Sequence, residues 1–333
     1  MKYITVIFLI AVTLFCSGAG TPLWQWRLQS RCYADPVVDG KRVFVVSAAG
    51  EVISGRYETG EREWEQKLRG GIVATPAVSS GALFAATQNG IVCCLEKTTG
   101  KERWCRTFVS DAFEAPLSIA GDLILAPSVN GNLYALAQSD GSTRWMHSGN
   151  RKYNTAAVVE SRYIYIGGWD GDFLCLRQDG SIVWQWTAPE PIVENALIYK
   201  NLVVFGTLKR FLYALEAPSG RFMWKYEIAF PASPVLIHDQ LAVGSGSDLI
   251  VLHAESGKFS HKFSLNRKIT DVLSHGEDFI VAAGSIYRLH SNSGKRKVIL
   301  SAEQPFYRMA LAPPVLIASN DLYSVMGVLV SSP

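Results

Sequence analysis

The stretch Tyr213-Ala-Leu-Glu-Ala-Pro-Ser-Gly-Arg-Phe-Met-Trp224 decides the fold. It reads as a β-rich run, a turn at Pro218-Ser219-Gly220, and a second run ending on an indole, the pattern of a hairpin. The same text recurs along the chain. Gly60 is followed four residues later by Trp64, Gly100 by Trp104, Gly141 by Trp145, Gly180 by Trp184 and Gly220 by Trp224. Self-similarity at a period of roughly 40 residues marks a repeat architecture.

Working outward, each unit opens with an apolar run, often behind a proline. The openings fall at Pro36, Pro76, Pro116, Ala156, Asn195, Pro234, Asp271 and Pro314. In the second unit Pro76-Ala-Val-Ser meets a turn at Ser80-Gly81, Ala82 to Thr87 meets Asn89-Gly90, and Ile91 to Leu95 meets Thr99-Gly100 before the run that carries Trp104. Turn residues every 8–12 positions between β-rich runs make hairpin-linked antiparallel strands. Radial repetition of four-stranded units is a β-propeller. The fourth-strand positions are Trp24, Trp64, Trp104, Trp145, Trp184, Trp224, His261 and Val298. The expected fold is therefore all-β, an eight-bladed propeller. Trp24 precedes the first opening, so the strand Leu23–Leu28 is expected to complete the blade begun by 314–330 and close the ring.

A comparison within the chain gives the tryptophans a role. Six residues before each turn glycine, or five in the fourth unit, stand Ser54, Cys94, Ala135, Cys175 and Ala214, all small. The units that have His261 or Val298 instead of Trp show Val251 and Arg288 there. A large indole needs a shallow seat, so these pairs are expected to be structural docking contacts.

The chain has 333 residues, 48% of them hydrophobic, and a formal charge of +3. That is enough apolar material for a large core, and too little net charge to indicate nucleic acid. Residues 1–19 stand apart. Lys2, an apolar run from Ile4 to Phe15, and Ser17-Gly18-Ala19 match a secretory signal with cleavage after Ala19. The run is too short for an ordinary span, which needs about 20 residues. Cys16 raises the alternative of a lipid anchor, although Phe15 stands where lipoprotein signals place a small residue. Residues 20–333 then form one exported propeller domain. Without Cys16 five cysteines remain, an odd number that is no disulfide framework. Cys93 and Cys94 are both placed to reach Cys105 across a hairpin, and spacing does not choose between them.

Ala214-x-Glu216-x-x-x-Gly220-x-x-x-Trp224 resembles the tryptophan-docking motif of the PQQ-repeat, quinoprotein-like eight-bladed propellers. Cys94-x-Glu96-x-x-x-Gly100-x-x-x-Trp104 differs only in its first residue, and Ala135, Gly141 and Trp145 keep the motif without the acid. The resemblance implies two kinds of function. One branch is enzymes that use PQQ and calcium, with long insertions between strands. This chain spends nearly every residue on blades. The other is the BamB-type scaffold lipoproteins of outer-membrane β-barrel assembly, which this compact chain looks more like. By that resemblance it is a non-catalytic periplasmic scaffold that docks on the β-barrel assembly complex as a monomer. It would be membrane-associated through that partner or through Cys16. A secreted propeller with an unrelated partner is the remaining alternative.

No catalytic constellation stands out. Asp170-Gly171-Asp172 occupies a hairpin position held elsewhere by Asn89-Gly90 and Asn130-Gly131, so neither calcium nor another metal is expected there. Cys93-Cys94 reads as two small strand residues, not as a disulfide beside a quinone. The six histidines are scattered. What remains is a surface: the links between blades converge on one face around the channel. Tyr33, Val73, Phe113, Tyr153, Ile192 and Phe230 form an apolar ring there, with Phe306 and Tyr307 in the last link. Two readings of that ring stand side by side, a partner-binding surface and plugs between blades.

Overall fold

Each repeat folds as one four-stranded antiparallel sheet, and consecutive sheets succeed one another around a ring. The computed structural model describes residues 21–149, 151–208, 211–228, 234–301 and 305–330. The expected signal peptide and Phe230 lie outside them. Blades 1 to 7 span 37–67, 77–107, 118–148, 158–187, 197–227, 235–264 and 271–300. Blade 8 joins Phe306–Ala312, Val315–Asn320 and Ser324–Leu329 to the N-terminal strand Trp24–Arg27. Trp24 lies opposite Gly327 and Trp26 opposite Val325, so the first strand closes the ring on the last.

One boundary differs from the sequence reading. Pro314 does not open blade 8. The inner strand is Phe306–Ala312, and Pro313-Pro314 forms the turn into the second strand. In the other blades a proline or its equivalent stands before the inner strand. In blade 8 Pro305 stands there too, directly before Phe306, and Pro313-Pro314 are an additional pair after the strand, where a missing N–H costs no ladder bond.

The strand text follows from stacking. Blades pack face to face, so the two middle strands of each are covered on both sides. Ala82–Ala86, Leu123–Pro127 and Leu202–Gly206 are buried at every residue. Such strands read as continuous apolar runs, not as alternation. Outer strands have a free edge and alternate, as in Phe222–Glu227. Buried side chains divide into eight clusters, each shared by two consecutive blades, including one between blades 8 and 1. The core is therefore a ring of interfaces around a channel.

Candidate functional site

Each docking tryptophan lies between a small residue of its own blade and the turn glycine of the next. Trp104 stands directly opposite Cys94, and a Cβ built on Gly141 of blade 3 would meet its ring at 2.7 Å. Its Nε1 donates to the Gln138 carbonyl at 3.0 Å. Trp64 over Gly100, Trp145 over Gly180 and Trp184 over Gly220 repeat the arrangement, opposite Ser54, Ala135 and Cys175. Trp224, opposite Ala214, covers Gly257, but its buried Nε1 has no partner among the described residues. Gly100 has φ +71°, so glycine is needed there both for the turn and for the close approach of Trp64. In each of these pairs the ladder slips by one residue just after the small residue, a bulge that seats the indole.

The exceptions are instructive. Trp24 covers Gly60 and donates to the Tyr57 carbonyl at 2.7 Å. Its seat is Gly327, which no turn-glycine count could locate because the two strands lie at opposite ends of the chain. In blade 6, His261 stands opposite Val251, and its Nε2 donates to the Ser291 carbonyl at 2.7 Å, the counterpart of the indole bond. Phe263 covers Gly294 instead. One tryptophan is thus replaced by two residues, one polar and one apolar. In blade 7 the counted position Arg288 faces Lys297, while Val298 faces Tyr287. Arg288 is held by Asp278, so no indole seat exists there.

At the channel mouth the apolar ring separates into two populations. Phe113, Tyr153 and Ile192 are buried, and their amides donate to the Thr87, Ser128 and Gly168 carbonyls of the preceding blade. They are plugs between blades and present no docking surface, contrary to that reading of the ring. Ile72 makes the corresponding bond to Ser47 and is also buried, so it is the counterpart, one residue before Val73. Tyr33 likewise follows a buried counterpart, Cys32, and is 47% exposed. The offset arises because the first two links carry one more residue before their proline.

The exposed aromatic group lies at the seam of blades 8 and 1. Tyr33, Tyr307 and Tyr323 lie around Arg31, whose guanidinium is 3.6 Å from Asp321, and Leu322 is exposed beside Tyr323. Asp321 also accepts a hydrogen bond from Tyr307 and holds its phenol above the usual range. Arg308 donates to the Tyr33 carbonyl at 2.9 Å and lies 3.6 Å from Asp35. Arg31, Tyr33, Asp35, Tyr307, Arg308 and Asp321 border a channel cavity of about 630 Å³. Within it Asp271 is pushed up to about 7, by burial first and then by Asp35, against the pull of Arg308.

The chemistry available is limited. Among the described residues no three His, Cys, Asp or Glu side chains could hold a metal ion. Asp170 accepts the Asp172 amide and Asp172 accepts the Thr187 hydroxyl, which are ordinary turn contacts. Glu96, Glu216 and His290 take hydrogen bonds from turn residues Thr99, Ser219 and Asn292. Cys93 is bonded to Cys105 directly across the strand pair. Cys94 and Cys175 are buried thiols that burial pushes up to about 11, far from a nucleophile's range. The channel mouth carries Asp35, Glu114, Glu194, Asp271 and Asp321 against Arg31, Lys268 and Arg308, and both arginines face carboxylates. That donor set is a poor fit to an anionic quinone such as PQQ.

A family model described as outer membrane protein assembly factor BamB matches residues 11–71 and 130–272, more than half of the chain. The chain belongs to the BamB family of PQQ-repeat propellers. The crystal structure of BamB from Moraxella catarrhalis is similar over 94% of this chain and 98% of its own, with a TM-score of 0.83 and 18% identity. The computationally designed Ika8 protein matches at 0.81 and 14% identity, over 91% and 98% of the two chains. Sqt1 of Saccharomyces cerevisiae matches at 0.80 and 12%, over 94% and 100%. At these identities the likeness concerns the fold, which one BamB structure shares with a design and a yeast protein. No protein of curated function matches the chain.

Proposed function

We propose that this chain is a non-catalytic scaffold of outer-membrane β-barrel assembly. It would work as an exported monomer in the periplasm, at the inner face of the outer membrane. The observation that carries the reading is the BamB family match, spread over both halves of a propeller whose residues are almost all spent on blades. The Cys93–Cys105 disulfide supports export, because such bonds persist in oxidising compartments. The docking surface in this reading is the seam of blades 8 and 1, not the buried plugs. Exposed tyrosines around an arginine are the composition of an interface hot spot. No cofactor enters this reading.

Crosslinking in intact envelopes, followed by affinity capture and mass spectrometry, tests it. The core protein of the barrel-assembly machinery is expected to be enriched. Tyr33→Ala with Tyr323→Ala should reduce that enrichment, while Phe113→Leu, a change inside a plug, should not. Capture of unrelated proteins alone would move the function to a different partner.

A further inference from the structure

Among the residues that open the inner strands of blades 1 to 7, Asp271 alone is ionisable. The others are Pro36, Pro76, Pro116, Ala156, Asn195 and Pro234. Its carboxyl ties two blades together, accepting the Val272 amide at 2.9 Å and the Met309 amide of blade 8 at 2.8 Å. Next to Met309 is Arg308, which donates to the Tyr33 carbonyl and pairs with Asp35. Asp35 in turn accepts the Thr75 hydroxyl of the following link at 3.3 Å. Asp271, Asp35 and Arg308 all line the channel cavity. Two carboxyl groups thus share one guanidinium, and among the described residues no other donor reaches the Tyr33 carbonyl. The remaining neighbours are accounted for. Ala282 stands opposite Asp271, and the adjoining strands Val235–Ile237 and Gln240–Ser245 of blade 6 carry no ionisable side chain. Asp278, at the far end of the same strand pair beside His275, is held by Arg288. Arg31, Asp321 and Tyr307 engage one another, and burial keeps Cys32 a thiol. Lys268, on the link before Asp271, is exposed to solvent, and Glu114 and Glu194 lie across the mouth.

We infer that this cluster is a proton-sensitive latch on the exposed link: with Asp271 neutral, Arg308 holds the Tyr33 backbone, and once Asp271 is ionised, Arg308 turns toward it and lets Tyr33 go. A guanidinium gains more from a carboxylate than from a neutral carbonyl. When a second carboxylate appears beside it, the carbonyl is therefore the acceptor that loses. Asp271 already lies in the field of Arg308, which favours its ionised form against burial and Asp35. Its value of about 7 puts the change in the neutral range. A carboxyl raised in this way favours its protonated arrangement in acid, so the latch is closed below the midpoint and open above it. Tyr33 belongs to the seam surface, so the latch sets how well that surface is ordered for a partner. That consequence rests on the docking function proposed above; the latch itself does not.

The Tyr33 carbonyl can be followed directly. Tyr is followed by Ala three times in the chain, at Tyr33, Tyr134 and Tyr213. Isotope labelling of tyrosine carbonyls and alanine nitrogens therefore leaves three signals in a carbonyl–amide NMR correlation. Tyr134 and Tyr213 lie within strands and serve as references. Between about pH 5.5 and about pH 8.5 the Tyr33 signal should move upfield, as a carbonyl does on losing a donor, with its midpoint at about 7, while the references stay. Asp271→Asn cannot ionise and should hold the signal at its acid position throughout. Asp35→Asn should move the midpoint to lower pH, because Asp35 raises Asp271. Arg308→Gln should give the released position at every pH. Thermal melts check that the variants are folded. A Tyr33 signal that does not titrate, that titrates unchanged in Asp271→Asn, or whose midpoint ignores Asp35→Asn would overturn the inference. The titration is read with no partner present, so failure of the docking reading would leave it intact. With the periplasmic part of the barrel-assembly core protein added, affinity should fall several-fold from about pH 6 to about pH 8 as the closed fraction falls, and should not fall in Asp271→Asn. Equal pH dependence in the two chains would overturn the control of docking.

Discussion

Trp104 is held by contacts on three sides: Cys94 across its own blade, Gly141 beneath the ring, and the Gln138 carbonyl at its nitrogen. Burying an indole removes roughly 150–250 Å² from water, worth about 4–6 kcal/mol before entropy. Trp104→Ala should therefore cost about 3–5 kcal/mol in urea unfolding, and a loss below about 1 kcal/mol would refute the docking account. These pairs were legible because each lies within one hairpin, at fixed spacing. The Gly327 seat of Trp24 and the His261–Phe263 substitution were not, since one joins the chain ends and the other divides a role between two residues. Asp271 adds a pH dependence. Its folded-state value of about 7 lies above the ordinary 3.8, so the folded state binds this proton more tightly than the unfolded chain. Stability contributed by this group is highest in acid and falls as pH rises from 3.8 to about 7. Asp271→Asn should flatten that slope in thermal melts and raise the melting temperature at pH above about 7.

At the scale of the element, the outer hairpin of blade 2 is closed twice, by the Trp104 contacts and by Cys93–Cys105. The bond encloses a separation of 12 residues, and cross-linking a loop of this size restricts the unfolded chain by about 3 kcal/mol in the loop-entropy model. Reduction, or Cys93→Ala with Cys105→Ala, should lower stability by about 2–3 kcal/mol without changing far-UV circular dichroism. The sequence placed both cysteines on facing strands but could not say which of Cys93 and Cys94 points toward Cys105. Register decides it. Cys93 is directly opposite Cys105, which puts Cys94 opposite Trp104. Side chains alternate along a strand, so one residue of register exchanges the disulfide for the indole seat. The misplaced start of blade 8 has a similar cause: Pro313-Pro314 looks like the other strand openers, and only pairing shows that Phe306–Ala312 precedes it.

The whole molecule is a closed ring whose ends meet in one sheet, and the seam of that sheet bears the exposed tyrosines. Closure could be foreseen by counting outer-strand positions, because eight of them imply a strand at the N-terminus. Which link residues stay exposed could not be foreseen in the same way. Spacing brought these link residues, Tyr307 among them, to one end of the channel, but it carried no information on depth. Phe113, Tyr153 and Ile192 sank between blades, while Tyr33, one residue past its buried counterpart, stayed outside. The central claim, docking through the seam, is tested most directly by binding of the purified chain to the purified periplasmic part of the barrel-assembly core protein. The account predicts saturable binding, weakened at least about tenfold by Tyr33→Ala with Tyr323→Ala, and unchanged by Thr143→Ala on the far rim. Failure to bind, or binding indifferent to the seam tyrosines, would contradict it.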